Sequence, residues 1–307
     1  MKAALVKKTL TNLLLNRQRS KVQGMKEITA DMIKELRERT GVGMGKCKEA
    51  LVLAEGDMEK AIDVLRKAGM AAGVKKEGRE TKEGLILTGE DSHVLVIVEA
   101  NVETDFVAQN DRFKQFLHDV VKQAVETKPK SLADFLQQPY HKDKSITIDQ
   151  CRNLVIQALG ENIQLRRMEV IHKHADSSYG IYSHMGGKLV VVVEVHGSSH
   201  EGTIAKEIAM HAAAESPEYL KPEEVPAHVL AREEEIARSQ VQGKPENIIG
   251  KIVAGKIDAF KAQVCLISQK YVKDNSLTVQ QFLDAHAKKI GKHLSIRCFW
   301  RWKVGQN

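Results

Sequence analysis

Three acidic residues, Glu99, Glu103 and Asp105, crowd together with Asn101, Thr104 and Phe106 just after the apolar run Val94–Val98. The run reads as a buried strand, and an amphipathic helix begins near Asp111. A phenylalanine beside an aspartate is an odd choice for a turn that only connects, because Asn, Asp and Ser make turns and exposed Phe does not. Phe106 is either a core residue folded back under the helix or a protruding wedge. As a wedge it would aim at a partner's pocket, with Asp105 at its polar contacts.

Elsewhere the chain offers little for covalent chemistry. His172 and His174 alternate on an expected strand without a surrounding cluster of carboxylates and histidines, so no metal site is expected. Cys47, Cys151, Cys265 and Cys298 form no CxxC pair and suit reduced thiols in a cytosol-like compartment. Gly41-Val-Gly-Met-Gly45 resembles a phosphate loop only superficially: no strand precedes it and no Lys-Ser/Thr follows. No Ser/His/Asp set assembles, and no apolar run reaches the length of a membrane span. The chain is expected to be a binding protein, not an enzyme, and to carry no cofactor.

The formal charge of +7 invites a nucleic-acid partner. Six of the 47 basic residues and none of the 40 acidic ones lie within residues 1–24, leaving 41 against 40 in the body. A phosphate-backbone binder should not be so balanced, and 5% aromatics is poor for base stacking. A basic nucleic-acid- or ribosome-associated protein is the alternative. Residues 1–24 themselves read as sequence upstream of a mis-called start, a short extension, or a mitochondrial presequence. The expected location is the cytoplasm, or the mitochondrial matrix should they be a presequence.

The elements that must hold the Phe106 segment follow from periodicity. Thr29 can cap a helix carrying Met32, Ile33 and Leu36; Gly41 stops it, and two more short helices run to Gly69. Residues 71–82 read as a linker that is at most partly helical. A hairpin of 85–87 and 94–98 precedes a helix with Phe113, Phe116, Leu117, Val120, Val121 and Ala124 on one face. A helix over 149–159 and a strand over 163–171 follow. The pattern then recurs: a hairpin around Met185-Gly-Gly-Lys188, a Gly/Ser joint, and a helix over about 201–214. The second joint is short and has no aromatic, which favours the wedge for Phe106. Residues 227–273 read as a helical pair that projects from the body and turns near Pro245. Leu294, Ile296, Cys298, Trp300 and Trp302 alternate as a strand with one buried face.

The expected class is therefore α+β: a three-helix module, then a two-subdomain core of antiparallel sheets covered by helices, with a projecting helical hairpin. The expected boundaries are an extension over 1–24, a docking module over 25–70 and a linker over 71–83. An N-terminal core subdomain spans 84–175, and a C-terminal one spans 176–307, including a hairpin over about 227–273.

Thr104-Asp-Phe-Val-Ala108, Glu35-Leu-Arg-Glu-Arg-Thr-Gly-Val-Gly-Met44, Gly160-Glu-Asn-Ile163, Ile208-Ala-Met-His211 and Gly243-Lys-Pro245 together resemble the elongation factor Ts family, in order from about Met25 to Val304. The resemblance implies a nucleotide-exchange factor for elongation factor Tu, meeting it both GDP-bound and nucleotide-free. It also implies an N-terminal module similar to ubiquitin-associated domains. By position, Thr104, Asp105, Phe106 and Val107 match the segment that dislodges magnesium from the GTPase, and Lys34, Arg37, Met44 and His211 match partner contacts. The chain departs from some relatives in having Met44-Gly45 where they carry two methionines, so the resemblance implies a contact at Met44 and none at Gly45. No nucleic acid or membrane is implied, and self-association is left open.

Overall fold

The computed structural model describes residues 27–241 and 245–306. The expectations for residues 1–24 and for Gly243 and Lys244 lie outside the described residues. The chain is α+β and divides into two compact units. One comprises residues up to 82 with 102–123 and 129–164; the other comprises 83–101, 124–128 and 165 onward.

The first unit opens with three helices, α1 (Ala30–Thr40), α2 (Met44–Leu53) and α3 (Met58–Lys76). Thr29 caps α1 through its hydroxyl, which accepts from Met32 N at 3.3 Å, and Gly41 ends it at φ +64°. Leu36, Val42, Cys47, Leu51 and Leu65 fill their common core. Gly69 does not close the third helix, as the sequence had led us to expect; α3 runs on to Lys76. Gly69 and Gly73 are there as contact points. A Cβ at Gly69 would stand 3.3 Å from Leu154 and Gln157, and one at Gly73 would overlap Asn153, all on α7 (Ile148–Leu159). Close helix approach, not chain termination, requires those glycines.

The rest of this unit comprises the five-residue helix α4 (Asp105–Gln109), most of α5 (Asp111–Thr127), α6 (Leu132–Leu136), the small hairpin β3 (Pro139–Tyr140) and β4 (Asp143–Thr147), and α7. All six apolar residues of the expected α5 stripe are buried.

The second unit holds two three-stranded sheets. One is β1 (Glu83–Glu90), β2 (Val94–Val102) and β5 (Ile163–His172) in the order β1-β2-β5. The other is β6 (Ser177–His184), β7 (Leu189–His196) and β10 (Ser295–Lys303) in the order β6-β7-β10, all antiparallel. Helices α8 (Gly202–Glu215), α9 (Ala227–Ser239), α10 (Glu246–Val264) and α11 (Val279–Ile290) complete it, with the small hairpin β8 (Lys270–Tyr271) and β9 (Asp274–Thr278). Ala237, Val241 and Val253 form the apolar seam between α9 and α10.

Two strands differ from the sequence expectation. β2 continues four residues past Val98, and all nine of its residues are buried. Glu99 belongs to the strand because its charge is met there: Arg167 Nε donates to it at 2.7 Å and the Gly305 amide at 2.9 Å. In β10 a bulge between Ile296 and Cys298 breaks the alternation. Ile296 and Phe299 therefore meet the helix-side core, whereas Trp300 and Trp302 pack on the opposite cluster with Ile97 and Val192.

The repeat extends further than the sequence showed. Each copy is a hairpin, a helix, a small hairpin, a helix opened by a Thr–Gln capping box (Thr147/Gln150, Thr278/Gln281) and ended at a left-handed glycine (Gly160, Gly291), and a strand returning beside the hairpin's second strand. The polar ties correspond as well. Tyr140 donates to Asp119 and Tyr271 to Glu207, each at 2.8 Å, and Lys142 and Lys273 pair with the same carboxylates. The Thr-x-x-Gln boxes are local to the sequence, but the tyrosine ties span 21 and 64 residues and need three-dimensional neighbours, so periodicity alone could not reveal them.

Close packing within the second copy rests on Gly180 of β6, where a Cβ would collide with the backbone of Ala205 and Lys206 on α8. Backbone cannot step aside as a side-chain tip can. We expect Gly180→Ala to cost about 2–3 kcal/mol in urea-monitored unfolding. A loss under about 0.5 kcal/mol would mean that the helix and the strand separate freely.

Candidate interaction site

Thr104 begins the site. Its extended backbone turns the chain from β2 into α4, and its hydroxyl accepts from Val107 N at 3.3 Å as an N-cap. Glu161 grips the same residue twice: Thr104 N donates to Oε2 at 3.0 Å and Thr104 Oγ1 to Oε1 at 2.7 Å. One residue earlier, Glu103 accepts from Asn162 N at 2.6 Å and lies 3.4 Å from Arg79. Asn162 is wholly buried and donates to the Arg79 carbonyl at 3.0 Å. Two consecutive residues are thus riveted to the turn that follows Gly160. At the far end Asn110 Oδ1 accepts from Arg112 N at 2.9 Å and sets the start of α5.

On this fixed pedestal Asp105 and Phe106 stand free. Ala108 is buried and Val107 half-buried, anchoring the inner side of α4, while Phe106 is 84% exposed. Phe106 is therefore not a core residue. Exposing a large aromatic on a turn whose base is so heavily bonded gives no gain in stability, so the arrangement points to a partner.

Lys34, Arg37 and Met44 lie on α1 and the start of α2, within the same unit as α4. Lys34 and Arg37 are exposed and three residues apart, hence on one helix face, and Met44 is 52% exposed. Lys34 reaches Glu38 only at 4.0 Å. His211 is different. It belongs to the other unit, is wholly buried, and has both ring nitrogens engaged.

Val272 N donates to His211 Nδ1 at 3.1 Å, so the proton sits on Nε2, which donates to Gln269 Oε1 at 3.0 Å. In the first copy Gln123 stands four residues after Asp119, as His211 does after Glu207, and accepts from His141 N at 2.9 Å. His211 is thus a tie between helix and small hairpin; in this structure its ring has no surface to offer a partner. The motif around it resembles the family, but sequence could not tell a buried tie from an exposed contact.

Burial lowers the His211 pKa, because the imidazolium would lose its water. The unfolded chain therefore binds the proton more readily, and stability contributed by neutral His211 is present above its unfolded pKa near 6.5 and lost as pH falls below it. His211→Gln, copying the first repeat, should flatten the acid side of the stability profile and keep the fold. His211→Ala should cost about 1–3 kcal/mol at pH 7 by stranding the Val272 amide. An unchanged acid slope in His211→Gln would remove the histidine from that role.

Sequence reading missed the rivets Glu161 and Asn162, whose partners lie nearly 60 residues away. It also passed over Met185, 72% exposed at φ +50° in the β6–β7 turn. The only local signal there was a bulky residue placed where glycine is usual. Among the described residues, no cluster of three or more His, Cys, Asp or Glu could hold a metal, and no helix is long and apolar enough to cross a membrane.

The sequence profile of the family described as Elongation factor TS matches residues 103–306. Elongation factor Ts of Protochlamydia amoebophila is 54% identical over 282 residues, covering 92% of this chain and all of that protein. Elongation factor Ts of Chlamydia felis is 42% identical over 281 residues, with 92% and full coverage. That of Trichlorobacter lovleyi is 42% identical over 290 residues, covering 91% of this chain and 93% of the relative. With a matched family profile over most of its length and such identity across nearly all of it, the chain belongs to the elongation factor Ts family and is a translation elongation factor.

Proposed function

We propose that the chain binds elongation factor Tu, in its GDP-bound and nucleotide-free forms, and speeds GDP release by wedging Thr104–Val107 near the GTPase magnesium site. It then yields to incoming GTP. The observation that carries this is Phe106, held 84% exposed on a base fixed by Glu103, Thr104, Glu161 and Asn162. A GTPase holds nucleotide through magnesium and a backbone cradle around the phosphates. A partner accelerates release only if it binds the nucleotide-free or distorted state better than the loaded one. Bound nucleotide must in turn weaken the partner's grip equally. A wedge suits this role because it need not react; the chain acts as an exchange factor without covalent chemistry, in the cytoplasm. The three-helix module, similar to ubiquitin-associated domains, would supply docking affinity through Lys34, Arg37 and Met44.

Release of labelled GDP from purified elongation factor Tu, with and without the chain, tests the proposal; no acceleration would end it. The division of labour has its own test. Deleting the module would expose its contacts with α7, so surface substitutions are the cleaner probe. Alanine at Lys34, Arg37 and Met44 together should raise the half-maximal concentration at least about tenfold and change the saturated rate less than about twofold, because uniform binding energy does not distort the metal site. An equal collapse of the saturated rate would place these residues in the distortion itself.

A further inference from the structure

The first unit contains a cavity of 690 Å³ with an apolar floor, including Ile62, Phe116, Ile146 and Leu154, beneath a ring of charge. The carboxylates of the ring all have basic partners: Glu59 meets Arg39 at 2.7 Å, Asp143 meets Arg66 at 3.0 Å, Asp119 meets Lys142 at 2.7 Å, and Glu38 faces Lys34 at 4.0 Å. Arg112 is left over. Among the described residues no carboxylate lies within ion-pair distance of it. Its Nη2 donates to the Thr40 carbonyl, and its Nε is buried without a hydrogen-bond partner. The guanidinium lies against Gly41, where any side chain would overlap it.

Burial holds the Arg112 pKa below the usual guanidinium range, opposed by the nearby Cys151 thiol and Tyr140 phenol. Arg66, on the same wall, is by contrast committed to Asp63, Asp143 and Ser145, which leaves Arg112 as the ring's cation without a carboxylate among the described residues. A half-buried charge without a counter-ion is what an oxyanion would satisfy, since a guanidinium presents a planar fork of N–H donors to it. The volume is in the range of small-molecule sites, which combine an apolar lining with a few convergent polar groups.

We propose that this cavity binds a small organic oxyanion, its carboxylate or phosphate head on Arg112 and its apolar body over the floor. Nothing in the exchange reaction needs this site, so it stands independently of the proposed function. The fold supports it at one further point: Arg112 joins the end of α1 to the start of α5, so an occupant would tighten that joint.

Thermal unfolding of the full chain in about 20 mM inorganic phosphate, against sodium chloride of matched ionic strength, is the test. Phosphate should raise the wild-type midpoint by about 2–4 °C. Arg112→Met should abolish the rise and, because it removes an unpaired, half-buried charge, melt in chloride no lower than wild type. A parallel acetate series separates a phosphate head from a carboxylate one. Absence of any rise with either anion overturns the proposal, as does a rise that survives Arg112→Met. A large loss of stability in chloride would make Arg112 a structural clasp and overturn it too. Should Arg112→Met not fold at all, Arg112→Lys decides, keeping the charge but losing the fork. Calorimetric titration with phosphate should then show at least about tenfold weaker binding than wild type; equal affinity refutes the site.

Discussion

Phe106→Ala is expected to cut stimulated GDP release from elongation factor Tu at least tenfold while leaving the chain's own unfolding free energy within about 0.5 kcal/mol of wild type. The two halves have separate causes. An 84% exposed side chain has little burial to lose in the free protein. In the complex, sinking one phenylalanine between partner helices contributes on the order of 1.5–3 kcal/mol, or roughly tenfold to hundredfold in rate if it is felt only in the distorted state. Stopped-flow release and thermal unfolding of that one variant check both. Chelating magnesium supplies a further control, since it does chemically part of what the wedge is proposed to do. Without metal the gap between wild type and variant should shrink; an undiminished gap would put the wedge on the base or the phosphate cradle instead.

A larger effect is expected from removing the whole segment. Glu99 to Asp119 spans 20 residues in the first copy, whereas the corresponding Glu194 to Glu207 spans 13 in the second. The surplus equals the stretch Thr104–Asn110, so the duplicated frame closes without it. Deleting Thr104–Asn110 should therefore leave a folded chain, somewhat weakened by loss of the Thr104 and Asn110 caps, with GDP release at the unstimulated rate. A folded deletion variant that still stimulated release substantially would show the segment to be dispensable. If the shortened chain does not fold, the double change Asp105→Ala with Phe106→Ala answers the same question on the intact frame.

The sequence disclosed what is local and periodic. The α5 stripe, the Thr29 cap and the two hairpins follow from neighbours within one or two turns. Absence of an aromatic from the second joint foretold that Phe106 would be exposed. What stayed hidden depends on distant partners. Glu99 looked like part of an acidic loop because Arg167, its counter-charge, is 68 residues away. Gly69 looked like a helix stop because only α7 shows why a glycine is needed inside a helix. The β10 bulge turned an apparently one-sided strand into one that serves two cores. His211 carried a family motif, and only its two hydrogen bonds separate a buried tie from a contact.

The pairing of β7 with β10 also bears on how the chain comes off the ribosome. Val193 and Phe299 sit opposite each other although more than 100 residues separate them. Closing so long a loop costs chain entropy before any contact repays it. During synthesis β6 and β7 can pair as soon as they emerge, but one apolar edge of β7 must wait for nearly the entire downstream chain, including α9 and α10. At 5–20 residues per second that wait lasts on the order of 5–20 seconds, during which the nascent chain presents an unpaired strand. Ribosome-bound intermediates stalled between α8 and β10 are therefore the species on which a chaperone should act, and a chain released so that β10 is free to pair should need none.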